Sequence, residues 1–432
     1  MPKAKNVAKL PGFRDFAPED FAFRSRIFDA WRRVSRRYGF LEYDGPPLEA
    51  LELYTQKSGD EIVGQLYDFV DKGERHIALR PEMTPSLARM LGERSRALPK
   101  PIRWFSIPQL FRYERQQRGR LREHFQWNVD LVGEAGVEAD AEVLATALAG
   151  LQELGLGPDD IRARISDRIL LSELLRSAGV PEEALLRTFG IVDKIERMRP
   201  DAILARLRDP EGAGLSEEAA RRVLGLFGVS GLDAVVAAFP ESEAVASRAA
   251  EVRRYLSVLE ELGFADFVEF DLTIVRGLAY YTGIVFEVFD RQGEFRAICG
   301  GGRYDHLLEL VGGDPLPAVG FGMGDVVLGE LLVERGIAPS YARRIDYFIV
   351  SVDESLAPVA RRIGASLRSR GHSVAYPLRG QPVRKQFSAA STEGAAEVVI
   401  LGPDEVARGI AMIRDMESGE EREVPLATLE VN

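Results

Sequence analysis

The sequence predicts an α+β core built on an antiparallel sheet with flanking helices, a helical insertion, and a C-terminal α/β domain. Strand-rich segments over 65–133 and 265–335 flank a stretch, 168–262, in which leucine, alanine, arginine and glutamate recur in a helical pattern. The tail from residue 343 alternates strand-like and helical runs, the pattern of an α/β unit with parallel pairing. We therefore expect four segments: core 1–167, insertion 168–262, core 263–335 and C-terminal domain 343–432.

Composition limits the kinds of site that the chain can form. The single cysteine, Cys299, excludes an internal disulfide and a cysteine-based zinc site. The four histidines do not have the spacing of metal ligands; they are His76, His124, His306 and His372. We therefore expect no metal site made by the protein alone.

Location and charge give further expectations. The first residues, MPKAKNVAKLPGFRD, lack the apolar stretch of a secretory signal, and no run approaches the roughly 18 apolar residues of a membrane span. These features predict a cytoplasmic protein with no membrane partner. Taken over the whole chain, the net charge of −11 disfavours a nucleic-acid partner. Phosphate binding, however, depends on local clusters of arginine and lysine.

The first predicted element is a helix over residues 18–38. Pro18, Glu19 and Asp20 suit a first helical turn, and Gly39 is placed to end the helix. Apolar residues recur along it at helical spacing: Phe23, Ile27, Trp31, Val34 and Tyr38. A strand-like run then leads to Pro46 and Pro47.

Two strand-like segments enclose a loop rich in arginine. In FRYER, alternation predicts Arg112 and Glu114 on one face of a strand. In the return strand, alternation places a polar row on one face: His124, Gln126, Asn128 and Asp130. Such a row ordinarily faces water in a half-buried sheet. A graded set of amides and acids opposite Arg112 is better explained by a binding site.

The loop between these strands is the strongest cationic cluster of the chain. Five arginines occur within eleven residues: Arg112, Arg115, Arg118, Arg120 and Arg122. A solvated basic hairpin is the ordinary explanation of such a loop. In an acidic protein, however, the planar guanidinium groups favour binding of phosphate oxygens.

The segment FRYERQQRGRLREHFQ resembles motif 2 of class II aminoacyl-tRNA synthetases, in the form characteristic of the histidyl-tRNA synthetase family. The resemblance implies that Arg112 holds the α-phosphate and the amino-acid carboxylate, and that Glu114 contacts adenine. It also implies that Arg120 and Arg122 contact ATP phosphates or the tRNA acceptor end.

A second segment, LTIVRGLAYYTGIVFE, resembles the histidine-specific segment of the same family. The resemblance implies that Arg276 acts near the reacting carboxylate, where a fixed cation stabilises developing negative charge. It also implies that Tyr280 and Tyr281 line the imidazole pocket. A strand with core aromatic residues is the ordinary alternative for a tyrosine pair alone.

Weaker matches follow in the family's order. ALRPEMTPSLAR resembles the segment that binds the histidine amino group, here through Glu82 and Thr84. Gln126 and Asp130 fall where the family contacts the substrate amino and imidazole groups. Residues 18–47 resemble motif 1, which implies a homodimer, and GQPVRKQFSAASTEGAAEVVILG resembles the anticodon-binding domain.

The glycine-rich segments GGGRYDHL and PAVGFGMG resemble the region entering motif 3, which implies that Gly322 and Gly324 contact ATP. We expect the glycines at 300–302 and at 320, 322 and 324 to form turns, and tight turns for strand–helix packing explain each glycine equally well.

Three positions depart from the family pattern. Ala279 stands where aspartate is common, and Asp130 is one methylene shorter than the usual glutamate. Val327 occupies the place of the motif 3 arginine that holds the ATP γ-phosphate.

The resemblance implies a histidine–tRNA ligase that uses ATP and Mg²⁺, with histidine and tRNA(His) as its partners. The loss of the motif 3 arginine favours an alternative, a histidine-binding regulatory paralogue of ATP phosphoribosyltransferase without ligase activity. The C-terminal domain and the arginine loop argue against that alternative. A free tRNA-binding module is a third possibility, but it leaves the histidine-pocket residues unexplained.

Overall fold

The computed structural model describes residues 8–55, 63–115, 117–275, 281–306, 308–309, 312–338 and 344–430. The chain forms two compact units that divide between Ala338 and Pro339. None of the helices in these ranges has the length and apolar character that crossing a membrane requires.

The first helix is Pro18–Arg37, close to its predicted bounds. Proline and two acidic residues occupy its first turn, and Gly39 follows its end with φ +75°. Its inward face buries Ile27, Trp31 and Val34. Trp31 stacks on Trp127 of the central sheet at a ring-centroid distance of 5.8 Å, so the helix is anchored to that sheet.

The central sheet is mostly antiparallel. Along its main path the strand order is β1-β5-β7-β12-β11-β10-β8-β9, and a further strand, β6, pairs with β7. The β1–β5 and β8–β9 pairs at its two ends are parallel. The strands are β1 (Leu41–Glu42), β5 (Ile102–Ser106), β6 (Gln109–Phe111), β7 (Glu123–Val132), β8 (Ile161–Asp167), β9 (Val268–Phe270), β10 (Ile284–Asp290), β11 (Cys299–Arg303) and β12 (Ala318–Gly324).

Further helices and a small sheet surround this sheet. The Val137–Glu153 helix packs on it, and the Asp325–Glu334 helix begins directly after β12. The Thr84–Arg94 helix follows a three-stranded antiparallel sheet, β2-β4-β3. That sheet consists of β2 (Leu48–Ala50), β3 (Tyr67–Val70) and β4 (His76–Leu79), and the short helix Glu52–Thr55 lies after β2 in the chain.

Two sequence-based expectations about strands were wrong. The FRYER strand ends at Phe111, so Arg112 and Glu114 lie just beyond β6 and not within a strand. The clustered glycines do not form turns, because Gly300–Gly302 belong to β11 and Gly320, Gly322 and Gly324 belong to β12. Both glycine-rich strands lie in the middle of the central sheet.

The stretch 168–262 is helical in the structure. Most of its apolar side chains form a hydrophobic cluster of their own, which includes Leu174, Val223 and Val252. Tyr255 and Leu259, near the end of its last helix, instead belong to the core of the central sheet. The helices of this stretch are Arg168–Ser177, Leu185–Val192, Pro200–Arg208, Glu217–Leu226, Leu232–Ala237 and Glu243–Glu261.

The second unit contains a five-stranded sheet in the order β14-β13-β15-β16-β17. The expected parallel pairing is present among β13 (Ile345–Ser351), β14 (Val374–Ala375) and β15 (Ala395–Leu401). The last two strands, β16 (Ile410–Asp415) and β17 (Glu421–Pro425), pair antiparallel, so the expectation of parallel pairing was incomplete. The helices of the unit are Ala357–Ser369, Val383–Thr392, Pro403–Ala407 and Leu426–Leu429.

Candidate active site

A cleft in the first unit consists of two adjoining chambers. The larger chamber encloses about 450 Å³, and the smaller chamber encloses about 190 Å³. Both are lined by Arg112, Glu114, Arg120, Gln126, Gly300 and Gly322. These shared residues join the chambers into one site.

The larger chamber is formed on the polar face of β7. Gln126, Asn128 and Asp130 line it, while Trp127 and Val129 point into the hydrophobic core. The alternation predicted for this strand is therefore confirmed, although the polar row faces a cleft and not the bulk solvent. A row of amides and a carboxylate in a cleft can orient a small polar ligand by hydrogen bonds.

Asp130 is the most deeply placed acid of the larger chamber, with 4% of its surface exposed. Burial raises the pKa of Asp130 to about 7, and a hydrogen bond donated by the Tyr304 hydroxyl opposes that rise. Burial of Tyr304 beside Asp130 also raises the pKa of its phenol well above the ordinary value, so the phenol remains a donor. The pair presents a carboxylate in a fixed orientation.

Glycines of β12 make room for these side chains. Gly320 pairs with Asp130 across the sheet, and a Cβ atom at Gly320 would lie 2.3 Å from Asp130 Oδ1. A Cβ atom at Gly322 would lie 2.8 Å from the Gln126 side chain. Side-chain space, and not turn geometry, explains glycine at these two positions.

Glu82 and Thr84 also line the larger chamber, at the start of the Thr84–Arg94 helix. The segment before them is fixed by buried Arg80. Its Nη1 donates to Asp44 Oδ1 and to the Gly45 carbonyl oxygen, each at 2.7 Å. The structure thus places these two sequence-predicted residues in the same chamber as Gln126 and Asp130.

The smaller chamber contains the charged residues that follow β6. Arg112 donates from Nε to the Pro81 carbonyl oxygen at 2.9 Å, which fixes its side chain between the two walls of the cleft. Glu114 is buried and forms an ion pair with Arg120. Gly324 and Val327 also line this chamber. Two guanidinium groups and one carboxylate therefore meet where the chambers join.

His124 also lines the smaller chamber but carries no charge there. Burial lowers the pKa of His124 to about 3, and the cations Arg112 and Arg14 act in the same direction. The positive charge of the chamber therefore comes from arginine.

Arg122 is placed differently from Arg120. Its guanidinium carbon lies 4.2 Å from the centre of the Tyr113 ring, and its Nε donates to the Glu114 carbonyl oxygen at 3.3 Å. Arg122 is not among the described residues that line either chamber. The sequence does not distinguish Arg120 from Arg122. In the structure, Arg120 lines the chambers and Arg122 packs on Tyr113.

Arg276, Ala279 and Tyr280 lie outside the described residues. Tyr281 is described and lines the larger chamber. Within the described ranges, no group of three or more histidine, cysteine, aspartate or glutamate side chains is arranged to hold a metal ion.

Several lining residues were not among the sequence-predicted site residues. Tyr304 and Asn128 had a usable signal, because one belongs to the quoted segment GGGRYDHL and the other to the polar row of β7. Asp193, which follows the Leu185–Val192 helix, also lines the larger chamber. No local pattern marks Asp193, because its place in the site depends on how the helical stretch packs.

Comparison with known proteins agrees with this architecture. The sequence model of the histidyl-tRNA synthetase family matches residues 12–324, and that of an anticodon-binding domain matches residues 346–430. A histidine–tRNA ligase of Opitutus terrae is 44% identical over 420 residues, which cover 96% of this chain and 95% of the relative. The chloroplastic/mitochondrial histidine–tRNA ligase of Arabidopsis thaliana is 41% identical, over 99% of this chain and 87% of the relative.

The crystal structure of a histidyl-tRNA synthetase from a Nostoc species superimposes with a TM-score of 0.80 at 26% identity and covers 98% of each chain. The agreement includes the class II core, with its large sheet and flanking helices, and the separate C-terminal anticodon-binding unit. The chain therefore belongs to the histidyl-tRNA synthetase family.

Proposed function

We propose that this chain is a histidine–tRNA ligase. The histidine carboxylate attacks the α-phosphate of ATP, pyrophosphate leaves, and the histidyl group then passes from the adenylate to the terminal ribose of tRNA(His), releasing AMP. The observation that carries the proposal is the two-chamber cleft, in which the polar row of β7 adjoins Arg112 and Arg120, in a chain of this family.

We assign amino-acid binding to the larger chamber. Glu82 and Thr84 receive the amino group, and Gln126, Asp130 and Tyr281 surround the imidazole and amino groups. Tyr280 completes the pocket on the basis of the sequence resemblance. The dimensions support this assignment, because about 450 Å³ accommodates a single amino acid and part of a nucleotide.

We assign phosphate and adenine binding to the smaller chamber and its junction. Arg112 lies between the chambers, where it can contact both the carboxylate and the α-phosphate, and Glu114 is placed for adenine. Gly322 and Gly324 border the nucleotide. Arg276 stabilises charge near the reacting carboxylate, as the sequence resemblance implies. Because the hydrogen bond to Pro81 holds Arg112 before reaction, its guanidinium group can stabilise charge in the transition state.

Mg²⁺ fits this site as a partner of ATP. In nucleotide sites Mg²⁺ is usually held by one or two carboxylates and the substrate phosphates, and not by a full cage of protein ligands. Glu287 would provide such a carboxylate, since it lines the larger chamber. When bound, Mg²⁺ neutralises part of the charge of the ATP phosphates.

We further propose a cytoplasmic homodimer. The motif 1 resemblance supports the dimer, and so does apolar exposure near that segment. Leu41 on the edge strand β1 is 68% exposed, and Phe69 and Val70 on β3 are 47% and 61% exposed. Sedimentation at micromolar concentration tests this, since a monomer contradicts the proposal.

The direct test of the ligase function is ATP–pyrophosphate exchange by the purified chain with each of the standard amino acids. We expect exchange with histidine alone. A protein that binds histidine at saturating Mg-ATP but supports no exchange would instead be the regulatory paralogue, the alternative that Val327 favours.

A further inference from the structure

The tip of the arginine loop is a tight turn with its two arginines on opposite sides. Gln117 and Arg120 exchange backbone hydrogen bonds of 3.2 Å and 2.9 Å, and Gly119 between them has φ +71°. This positive φ favours glycine, as in turns that need a left-handed third residue. Arg120 points toward Glu114 and the chambers, while Arg118 points toward the Asp325–Glu334 helix.

That helix holds the turn through its exposed side. The Gly119 N–H donates to Glu330 Oε1 at 3.3 Å, and Arg118 Nε lies 3.7 Å from Glu330 Oε2. Arg118 Nη2 also lies 3.2 Å from Glu334 Oε2. The Arg118–Glu334 pair is exposed and contributes little by itself. The bond to the Gly119 backbone is the contact by which this helix holds the turn.

The β10–β11 connection also contacts the turn. Arg296 Nη2 donates to Gln117 Oε1 at 2.6 Å, and the Arg118 guanidinium carbon lies 4.6 Å from the centre of the Phe295 ring. The turn is therefore held between two elements that both border the smaller chamber.

Val327 lies directly beneath the turn. A Cβ atom at Gly119 would lie 3.0 Å from Val327 Cγ2, so the glycine packs closely on the valine. The turn therefore packs against the position that the motif 3 arginine occupies in the family pattern. Valine at position 327, in place of the motif 3 arginine, is therefore compatible with the docked turn.

We propose that Glu330 is a positioning residue for ATP: it fixes the turn 117–120 on the Asp325–Glu334 helix, so that Arg120 is already directed into the cleft when ATP binds. This inference rests on the proposed function and adds to it that Arg120, which lines the cleft, supplies the phosphate-binding cation that Val327 cannot. Ordering a free arginine-rich turn costs conformational entropy during binding, and a turn that is ordered beforehand avoids this cost.

The kinetic test is Glu330→Ala, assayed by ATP–pyrophosphate exchange. We expect the KM for Mg-ATP to rise roughly five- to tenfold, the range for the net loss of one ordinary hydrogen bond, while the KM for histidine is unchanged. Glu330→Gln keeps an acceptor for the Gly119 N–H and should restore most of the ATP affinity. Glu260→Ala, which removes an exposed glutamate from the Glu243–Glu261 helix, should change neither constant.

A measurement that needs no activity separates this inference from the proposed function. Hydrogen exchange of the peptide containing the Gly119 amide should accelerate several-fold in Glu330→Ala and remain unchanged in Glu260→Ala. An unchanged exchange rate or an unchanged KM for ATP in Glu330→Ala overturns the inference, as does a glutamine variant no better than alanine. If the unsubstituted chain lacks pyrophosphate exchange, the proposed function fails, while the amide measurement still decides whether Glu330 holds the turn.

Discussion

The two chambers of the cleft are built on different kinds of structure. The polar groups that line the larger chamber but not the smaller one include Asn128 and Asp130 of β7, and Glu82 and Thr84 at the start of the Thr84–Arg94 helix. In the smaller chamber, Arg112, Glu114 and Arg120 all lie beyond the end of β6, in the loop that leads back to β7. Side chains on regular elements are held more rigidly than those on loops. On the proposed function, recognition of the amino acid depends on regular elements of the fold, and binding of the phosphates depends on a charged loop whose turn is held by its neighbours.

The largest effect expected from this division is at the junction of the chambers. Arg112→Ala should lower the rate of histidine-dependent pyrophosphate exchange by roughly a hundredfold or more, because a preorganised cation at the reacting centre is lost. The thermal midpoint of unfolding should change little, since Arg112 Nε makes one bond to a backbone carbonyl. A variant that unfolds early but retains normal exchange when folded would make Arg112 a structural residue.

A steric change should affect the larger chamber alone. In Gly320→Ala the new methyl group would meet Asp130 Oδ1 at 2.3 Å and the Val129 carbonyl oxygen at 2.7 Å. The strand must shift, so we expect the KM for histidine to rise by roughly tenfold or more and stability to fall by about 1–3 kcal/mol. The KM for ATP should change much less.

The same substitution at Gly225 provides the control, because no heavy atom lies within 4 Å of the position where its Cβ would stand. Equal increases in both Michaelis constants for Gly320→Ala would show that the two chambers are not separable at β12.

The smallest expected effect concerns the buried charge of Asp130. Its pKa in the folded protein, about 7, lies above the ordinary value, so folding favours the protonated form. The stability that this protonation provides is present below about pH 4 and is lost as the pH rises toward 7. Asp130→Asn should therefore increase the free energy of unfolding at pH 8 by roughly 1–3 kcal/mol and change it much less at pH 4.

Urea unfolding of both proteins at the two pH values provides the measurement. An asparagine variant that is less stable at pH 8 would mean that the ionised carboxylate is well compensated by its surroundings, and would contradict the assignment of its raised pKa to burial.

The polar row of β7 was predictable because one face of the strand is polar and the other apolar, and a period of two fixes which side chains share a face. The Pro18–Arg37 helix was predictable for a similar reason, since its apolar spacing and both ends agree. Such regularities are local, so the sequence alone reveals them.

The glycines of β11 and β12 show where local patterns are insufficient. Glycine is uncommon in strands, and its role at position 320 depends on the Asp130 side chain of a neighbouring strand that is distant in sequence. The separation of Arg120 from Arg122, and the arrival of Asp193 in the larger chamber, likewise depend on three-dimensional packing. In each of these cases the position of the residue in three dimensions was not available from the sequence.

On the proposed function, the smaller chamber binds the ATP phosphates through Arg120, which supplies the cation that Val327 cannot. The most direct measurement is the pair of Michaelis constants, for Mg-ATP and for histidine, in Arg120→Ala and in its neighbour Arg122→Ala. Because Arg120 lines the cleft and Arg122 stacks on Tyr113, we expect Arg120→Ala to raise the KM for ATP roughly tenfold, as for the loss of one contact to a charged group. Arg122→Ala should have a smaller effect on the KM for ATP, and neither variant should alter the KM for histidine. An unchanged KM for ATP in Arg120→Ala, or an equal rise in both variants, would contradict the account.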